Sequence, residues 1–143
     1  MEIFDIVYVS SKMRGDFYLE IKDFQKALDI YQFTQNFWKR EKRNYEEMIM
    51  TEQIGYLKRF VKQHSEAADM FRKVLQIAWI LEDKEMELRA YSHLAFEHFY
   101  MGNMSKSKYY SVRYDRGLVE NENSRMKQTV TRGSSHSKMN NFK

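Results

Sequence analysis

The chain has 143 residues, of which 43% are hydrophobic and 15% aromatic, enough for one core of ordinary size and too apolar for a disordered protein. It has no cysteine, which excludes disulfides and thiolate metal sites and fits a reducing compartment; it also lacks proline and has only five glycines, which disfavours a turn-rich β architecture. The formal charge of +4 belongs to one end, because residues 121–143 hold Arg125, Lys127, Arg132, Lys138 and Lys143 against Glu122 alone, and the rest is neutral.

An all-α chain is expected. In chain order, "IFDIVYV" near the start is interrupted by Asp5 and lacks the basic flank of a signal peptide. No later run approaches the roughly 18 apolar residues of a membrane span, so no membrane partner is expected. Apolar residues at helical spacing then predict helices over about 5–21, 24–42, 44–61, 64–82, 84–100 and 104–119. Residues 121–143, rich in Ser, Asn and Lys, read as a basic disordered tail.

The segments starting at Gly15, Gly55 and Ala95 align at a constant offset of 40 residues. Small residues open each segment, a turn residue follows seven later (Lys22, Lys62, Gly102), and small residues return at Ala27, Ala67 and Ser107. Tyr31 and Phe71 come four residues after that, and Ser111 breaks the column. The apolar phase changes at each turn, so each copy is a helix hairpin. Gly15 and Gly55 are expected to let two helix axes approach, each facing the small residue of the second helix.

These residues resemble the tetratricopeptide repeat family: Gly15, Tyr18, Ala27 and Tyr31 in copy one; Ile54, Gly55, Ala67 and Phe71 in copy two; Tyr91, Leu94, Ala95 and Gly102 in copy three. The 40-residue spacing is similar to the longer repeats of kinesin light chains and G-protein-signalling modulators. The resemblance implies a right-handed superhelix of three antiparallel hairpins, with repeats at about 8–47, 48–87 and 88–120. It also implies a cytoplasmic protein-binding scaffold or adaptor, with a cytoskeletal or ciliary setting by analogy. Carrying over the groove columns gives Lys12, Glu52, Gln53, Tyr56 and Arg59, then Arg89, His93, Phe96, Phe99 and Tyr100. The two-carboxylate clamp of chaperone-binding members is matched only partly, and Asp16 in one of its columns argues against chaperone-tail binding.

Neither end carries a polar cap. Ile3, Phe4, Ile6 and Val7 lead into the first helix, and Tyr109, Tyr110, Tyr114, Leu118 and Val119 lie on the last. With Tyr110, Tyr114 and Leu118 expected to be exposed, the chain either self-associates, joins a larger assembly or belongs to a longer array. No enzyme, metal or cofactor is expected: His64, His93, His98 and His136 form no metal-ligand spacing, and glycine-rich and GxSxG loops are missing. His98 takes a column usually filled by a core tyrosine. The acidic residues Glu46, Glu47 and Glu85 read as solvated, with Glu85 pairing with Arg89 one turn on. The alternative function is RNA binding, suggested by the tail and a pI near 9.2, but the neutral array argues for protein partners over nucleic acid.

Overall fold

The computed structural model describes the backbone of residues 3–139 and the side chains of residues 10–133. Six helices follow one another: α1 (Ile3–Glu20), α2 (Phe24–Arg40), α3 (Asn44–Phe60), α4 (His64–Leu81), α5 (Lys84–Tyr100) and α6 (Met104–Met139). Each helix packs mainly on its neighbours in sequence, as a solenoid requires. The apolar run Ile3, Phe4, Ile6 and Val7, expected to leave the first end uncovered, lies outside the described side chains.

The turns set the geometry. Lys22, Lys42, Lys62, Glu82 and Gly102 all have positive φ, from 53° to 77°, and they stand 20 residues apart. At each turn the same pair of hydrogen bonds closes the preceding helix. In the first, Lys22 N donates to Leu19 O (3.0 Å) and Asp23 N to Tyr18 O (2.8 Å). In the third, Lys62 N donates to Arg59 O (2.9 Å) and Gln63 N to Lys58 O (2.9 Å). This satisfies two orphan carbonyls per helix end with only two or three linking residues, so adjacent helices must run antiparallel. The residue after the left-handed position also starts the next helix: Asp23 and Asp83 accept from the amides of Lys26 and Met86.

The glycines do allow a close approach, but their partners are aromatic rings. A Cβ on Gly55 would stand 2.7 Å from Phe71 Cε1, and one on Gly15 would overlap the ring of Tyr31. The expected small-to-small contact with Ala27 and Ala67 is therefore corrected. In an antiparallel hairpin, residues equally far from the turn face each other. Tyr31 lies nine residues beyond Lys22, and its side chain leans back toward its own N-terminus, onto Gly15. Ala27 and Ala67 are fully buried elsewhere in the core.

Two apolar clusters fill the array. One joins α2 and α3 through Ala27, Tyr31, Trp38, Met50, Ile54 and Leu57. The other joins α3, α4 and α5 around Phe71, Val74, Leu75, Met86, Tyr91 and Leu94, with Tyr110 and Tyr114 of α6 against it. His98 is buried, as a core column requires, and its ring stacks on Tyr110 at 5.6 Å. The expected exposure of Tyr110 and Tyr114 is thus corrected, because both turn inward and are half-buried. Successive residues on a helix point about 100° apart, so Tyr109 and Tyr110 cannot share a face, and Tyr109 takes the outer one. Leu118 is exposed as expected.

Helix α6 runs past the expected end at 119. The basic tail therefore begins as a continuation of the helix, with residues 121–133 helical and, apart from half-buried Asn121, exposed. The physical reason lies in "ENENSRMKQTVTR", which is dominated by residues that tolerate helix and meets no glycine until Gly133. Gly117 lets α6 approach α5, since its Cβ would overlap the Leu88 side chain. The rest of the tail, residues 134–143, lies outside the described side chains.

Three substitutions test this geometry. Gly55→Ala should cost about 1–3 kcal/mol, because the Phe71 ring is fully buried and cannot retreat. Gly133→Ala has open space and should stabilise the helix by at most about 1 kcal/mol. Lys62→Gly should raise stability by about 0.5–1 kcal/mol, the relief of left-handed strain exceeding the added chain entropy. Thermal melts of the three variants measure these effects; equal melting points for Gly55→Ala and wild type would contradict the ring-on-glycine packing.

Candidate functional site

The sequence places charged and aromatic side chains on the odd-numbered helices at intervals of four, and α3 and α5 bring them face to face. Two carboxylates sit at the centre. Glu52 of α3 is 1% exposed and is ion-paired with Arg89 of α5. Glu97 of α5 is fully buried; its Oε1 accepts from Arg59 Nε of α3, and its Oε2 lies 2.6 Å from His64 Nδ1 of α4. Between them, His93 Nδ1 is 3.2 Å from Arg59 Nη2, and His93 Nε2 is 3.0 Å from the Tyr56 hydroxyl and 3.5 Å from Glu52 Oε2. With arginine donating to Nδ1, the neutral ring carries its proton on Nε2, where it faces both oxygens.

Aromatic rings frame these ions. The Arg59 guanidinium lies 4.2 Å from the Phe96 ring centre and 5.0 Å from that of Phe71. His93 stacks on Phe71 at 4.3 Å and meets Tyr56 edge-on. His64 stacks on Tyr100 at 5.2 Å, and the corresponding residues one repeat earlier, Phe24 and Phe60, pack at 5.0 Å. The same offset relates His64–Glu97 to Phe24–Leu57, so an apolar pair between repeats one and two becomes a hydrogen-bonded polar pair between repeats two and three.

The structure thus brings Glu52, Tyr56, Arg59, Arg89, His93 and Phe96 together and commits them to one another. Arg89 pairs with Glu52 rather than with Glu85, and Glu46 of the acidic pair bonds Arg43 at 2.7 Å. That Arg43 contact holds the Glu46 carboxyl below its ordinary range despite partial burial. Asp16 also has an internal use, accepting from the Tyr31 hydroxyl at 3.0 Å. Burial first, and then the Asp16 carboxylate, push the Tyr31 phenol well above its ordinary value. Asp16 stands in its column to hold the ring that covers Gly15.

Other predicted side chains stand in the open. Lys12 and Gln53 are exposed, Phe99 is 56% exposed and Tyr100 is exposed beside it. Phe60, 68% exposed, adds a large apolar surface at the end of α3. Next to it an apolar recess of about 310 Å³ opens between Leu19, Phe24, Tyr31, Gln53, Tyr56, Leu57 and Phe60. Sequence reasoning missed Glu97 and His64 as partners, although both put polar groups into otherwise apolar columns: Phe17 and Leu57 for the first, Phe24 and Met104 for the second. Among the described residues no group of three or more His, Cys, Asp or Glu could hold a metal, and no helix is long and apolar enough to cross a membrane.

No protein-family model matches the chain, and no curated protein matches it in sequence. Among solved structures, it is similar to the TPR domain of Arabidopsis FLU. The TM-score is 0.70 and the identity 18%, over 84% of this chain and 98% of that one. The likeness is one of fold.

Two measurements check the buried polar groups. Glu97→Gln should destabilise by about 3 kcal/mol, since it leaves Arg59 and His64 against a neutral group. Glu66→Gln, whose exposed carboxylate pairs with the half-buried Lys58, should cost at most about 1 kcal/mol. Burial, then the charges of Lys106 and Arg72, hold the His98 imidazole below its ordinary value, with Glu97 opposing. Folded His98 therefore resists protonation, and its contribution to stability is full above about pH 6.5 and falls as the pH drops below that value. His98→Tyr should flatten the loss of stability between about pH 6.5 and about pH 5.5, read from denaturation midpoints at both pH values.

Proposed function

We propose that the chain, as a tetratricopeptide-repeat array, is a protein-interaction scaffold that receives a partner segment on the face formed by α1, α3 and α5. The observation that carries this reading is a division of labour on that face. The charges of Glu52, Glu97, Arg59 and Arg89 are neutralised internally, while Phe60 at the edge of an apolar recess and Phe99 and Tyr100 at the end of α5 are left exposed. Exposed aromatic side chains bury large areas at small entropic cost, and a recess of this size accepts one or two apolar side chains. Gln53 supplies a polar contact at the rim, and Lys12 is exposed on α1 of the same face.

A protein segment fits this face better than RNA. The arginines that would contact phosphate, Arg59 and Arg89, are held by Glu97 and Glu52, and a phosphate-binding stripe needs cations available to the ligand. The same pairing assigns Arg89 a structural role, so a substitution there disturbs Glu52 as well as any partner.

The test is affinity capture from the native source followed by mass spectrometry. Wild-type chain is compared with the Phe60→Ala, Phe99→Ala double variant and with Phe33→Ala on α2 as control. The double variant should bind its partner roughly ten to a hundred times more weakly, with a melting point lowered only by the lost Phe24–Phe60 ring contact, and Phe33→Ala should bind as wild type does. Equal capture by the double variant would contradict a partner site at these rings.

A further inference from the structure

The outer side of α6 carries a feature that the groove does not use. Tyr109, Val112, Val119, Met126 and Val130 are exposed, and they keep to spacings of three, four and seven. With Arg116 and Asn123 they occupy the paired inward positions of successive heptads, a stripe roughly 100° wide over six turns. It lies opposite Tyr110, Tyr114 and Gly117, which face the array and α5. Beyond residue 119, α6 is largely exposed: of residues 120–133 only Asn121 is even half-buried, and Glu120 and Ser124 share an open cleft with Lys84 and Glu87 of α5. A lone helix of this length is marginal in water, so its stability calls for cover along the stripe.

We propose that the cover is a second copy of the same chain, paired antiparallel through residues 116–133 of α6. In this register Val119 lies opposite Val130 of the second copy, and Asn123 opposite Met126 of the second copy. Glu120 flanks Lys127 of the second copy, and the two-fold axis repeats every contact. The like-charged alternatives are disfavoured: shifting the register one heptad toward the array sets Glu120 against its own copy and Arg113 against Lys127 of the second copy. The overlap spans about 27 Å of helix, and because it lies beyond the hairpins it holds the two arrays at opposite ends. Pairing of this kind gives an isologous dimer with two outward groove faces, so a partner carrying two copies of a segment is bound by both arrays together.

The experiment is sedimentation velocity on the full chain at low ionic strength, across the accessible concentration range. Wild type should sediment at twice the 17.5 kDa of one chain. Val119→Asp should be a monomer with an unchanged array melt, since the position is exposed in one chain. Glu120→Lys and Lys127→Glu should each weaken the dimer roughly tenfold by placing like charges together twice, and the two combined should restore wild-type association. A wild-type monomer at the highest soluble concentration would overturn the proposal. So would a double reversal that associates no better than either single change, because that outcome removes the antiparallel Glu120–Lys127 contact.

Discussion

The buried carboxylates Glu52 and Glu97 constrain everything that α3 and α5 present to solvent. Taking a carboxylate out of water costs several kcal/mol, and the cost is offset only when cations and hydrogen-bond donors reach it with good geometry. Arg89 and Arg59 must therefore cross the gap between repeats, His64 must approach from α4, and His93 must fill the space between the two pairs. The rings of Phe71, Phe96 and Tyr56 fix Arg59 where it is needed. Such a lattice adds little net stability over an apolar interface, but it admits few alternative arrangements. It specifies one angle between repeats two and three, and hence the placing of Phe96, Phe99 and Tyr100.

The interface between repeats one and two solves the same packing problem with other chemistry. Phe24, Leu57 and Phe60 stand where His64, Glu97 and Tyr100 stand one repeat later, and the interface is apolar with an open recess. An apolar contact tolerates small shifts and an ion lattice does not. The two joints thus differ in chemistry, apolar at the first and charged at the second, with the exposed rings distributed across both.

Much of this was legible in the sequence, and the limits were physical. The 40-residue offset of Gly15, Gly55 and Ala95 located the hairpins, because ring-on-glycine packing tolerates no side chain at the first two and Ser111, in place of the ring, leaves room for the methyl of Ala95 at the third. Lys22, Lys62 and Gly102 marked the turns within them. Lys42 and Glu82 fell at expected helix ends, but their left-handed conformation went unread because a left-handed lysine or glutamate has no composition signal of its own. The contact partner of Gly15 was misassigned because spacing gives the face of a helix but not the lean of a side chain. At the site, the groove columns held the right residues, yet whether Arg59 or Arg89 is available to a partner depends on Glu97 and Glu52, more than 30 residues away. The end of α6 was obscured because exposed polar helix and disordered tail share a composition, and only the seven-residue spacing of Val112, Val119 and Met126 separates them.

The central claim, that ions buried between α3 and α5 hold the repeats in one arrangement, is tested most directly by a double-mutant cycle on Arg59 and Glu97. Arg59→Met, Glu97→Gln and the combination would be compared with wild type by chemical denaturation. A pair with a fully buried carboxylate should give a coupling of about 2 kcal/mol or more, with the double variant more stable than the two single losses would sum to. A coupling within the roughly 0.2–1 kcal/mol typical of exposed pairs would show that the lattice does not hold the interface, and the account of the groove would fall with it.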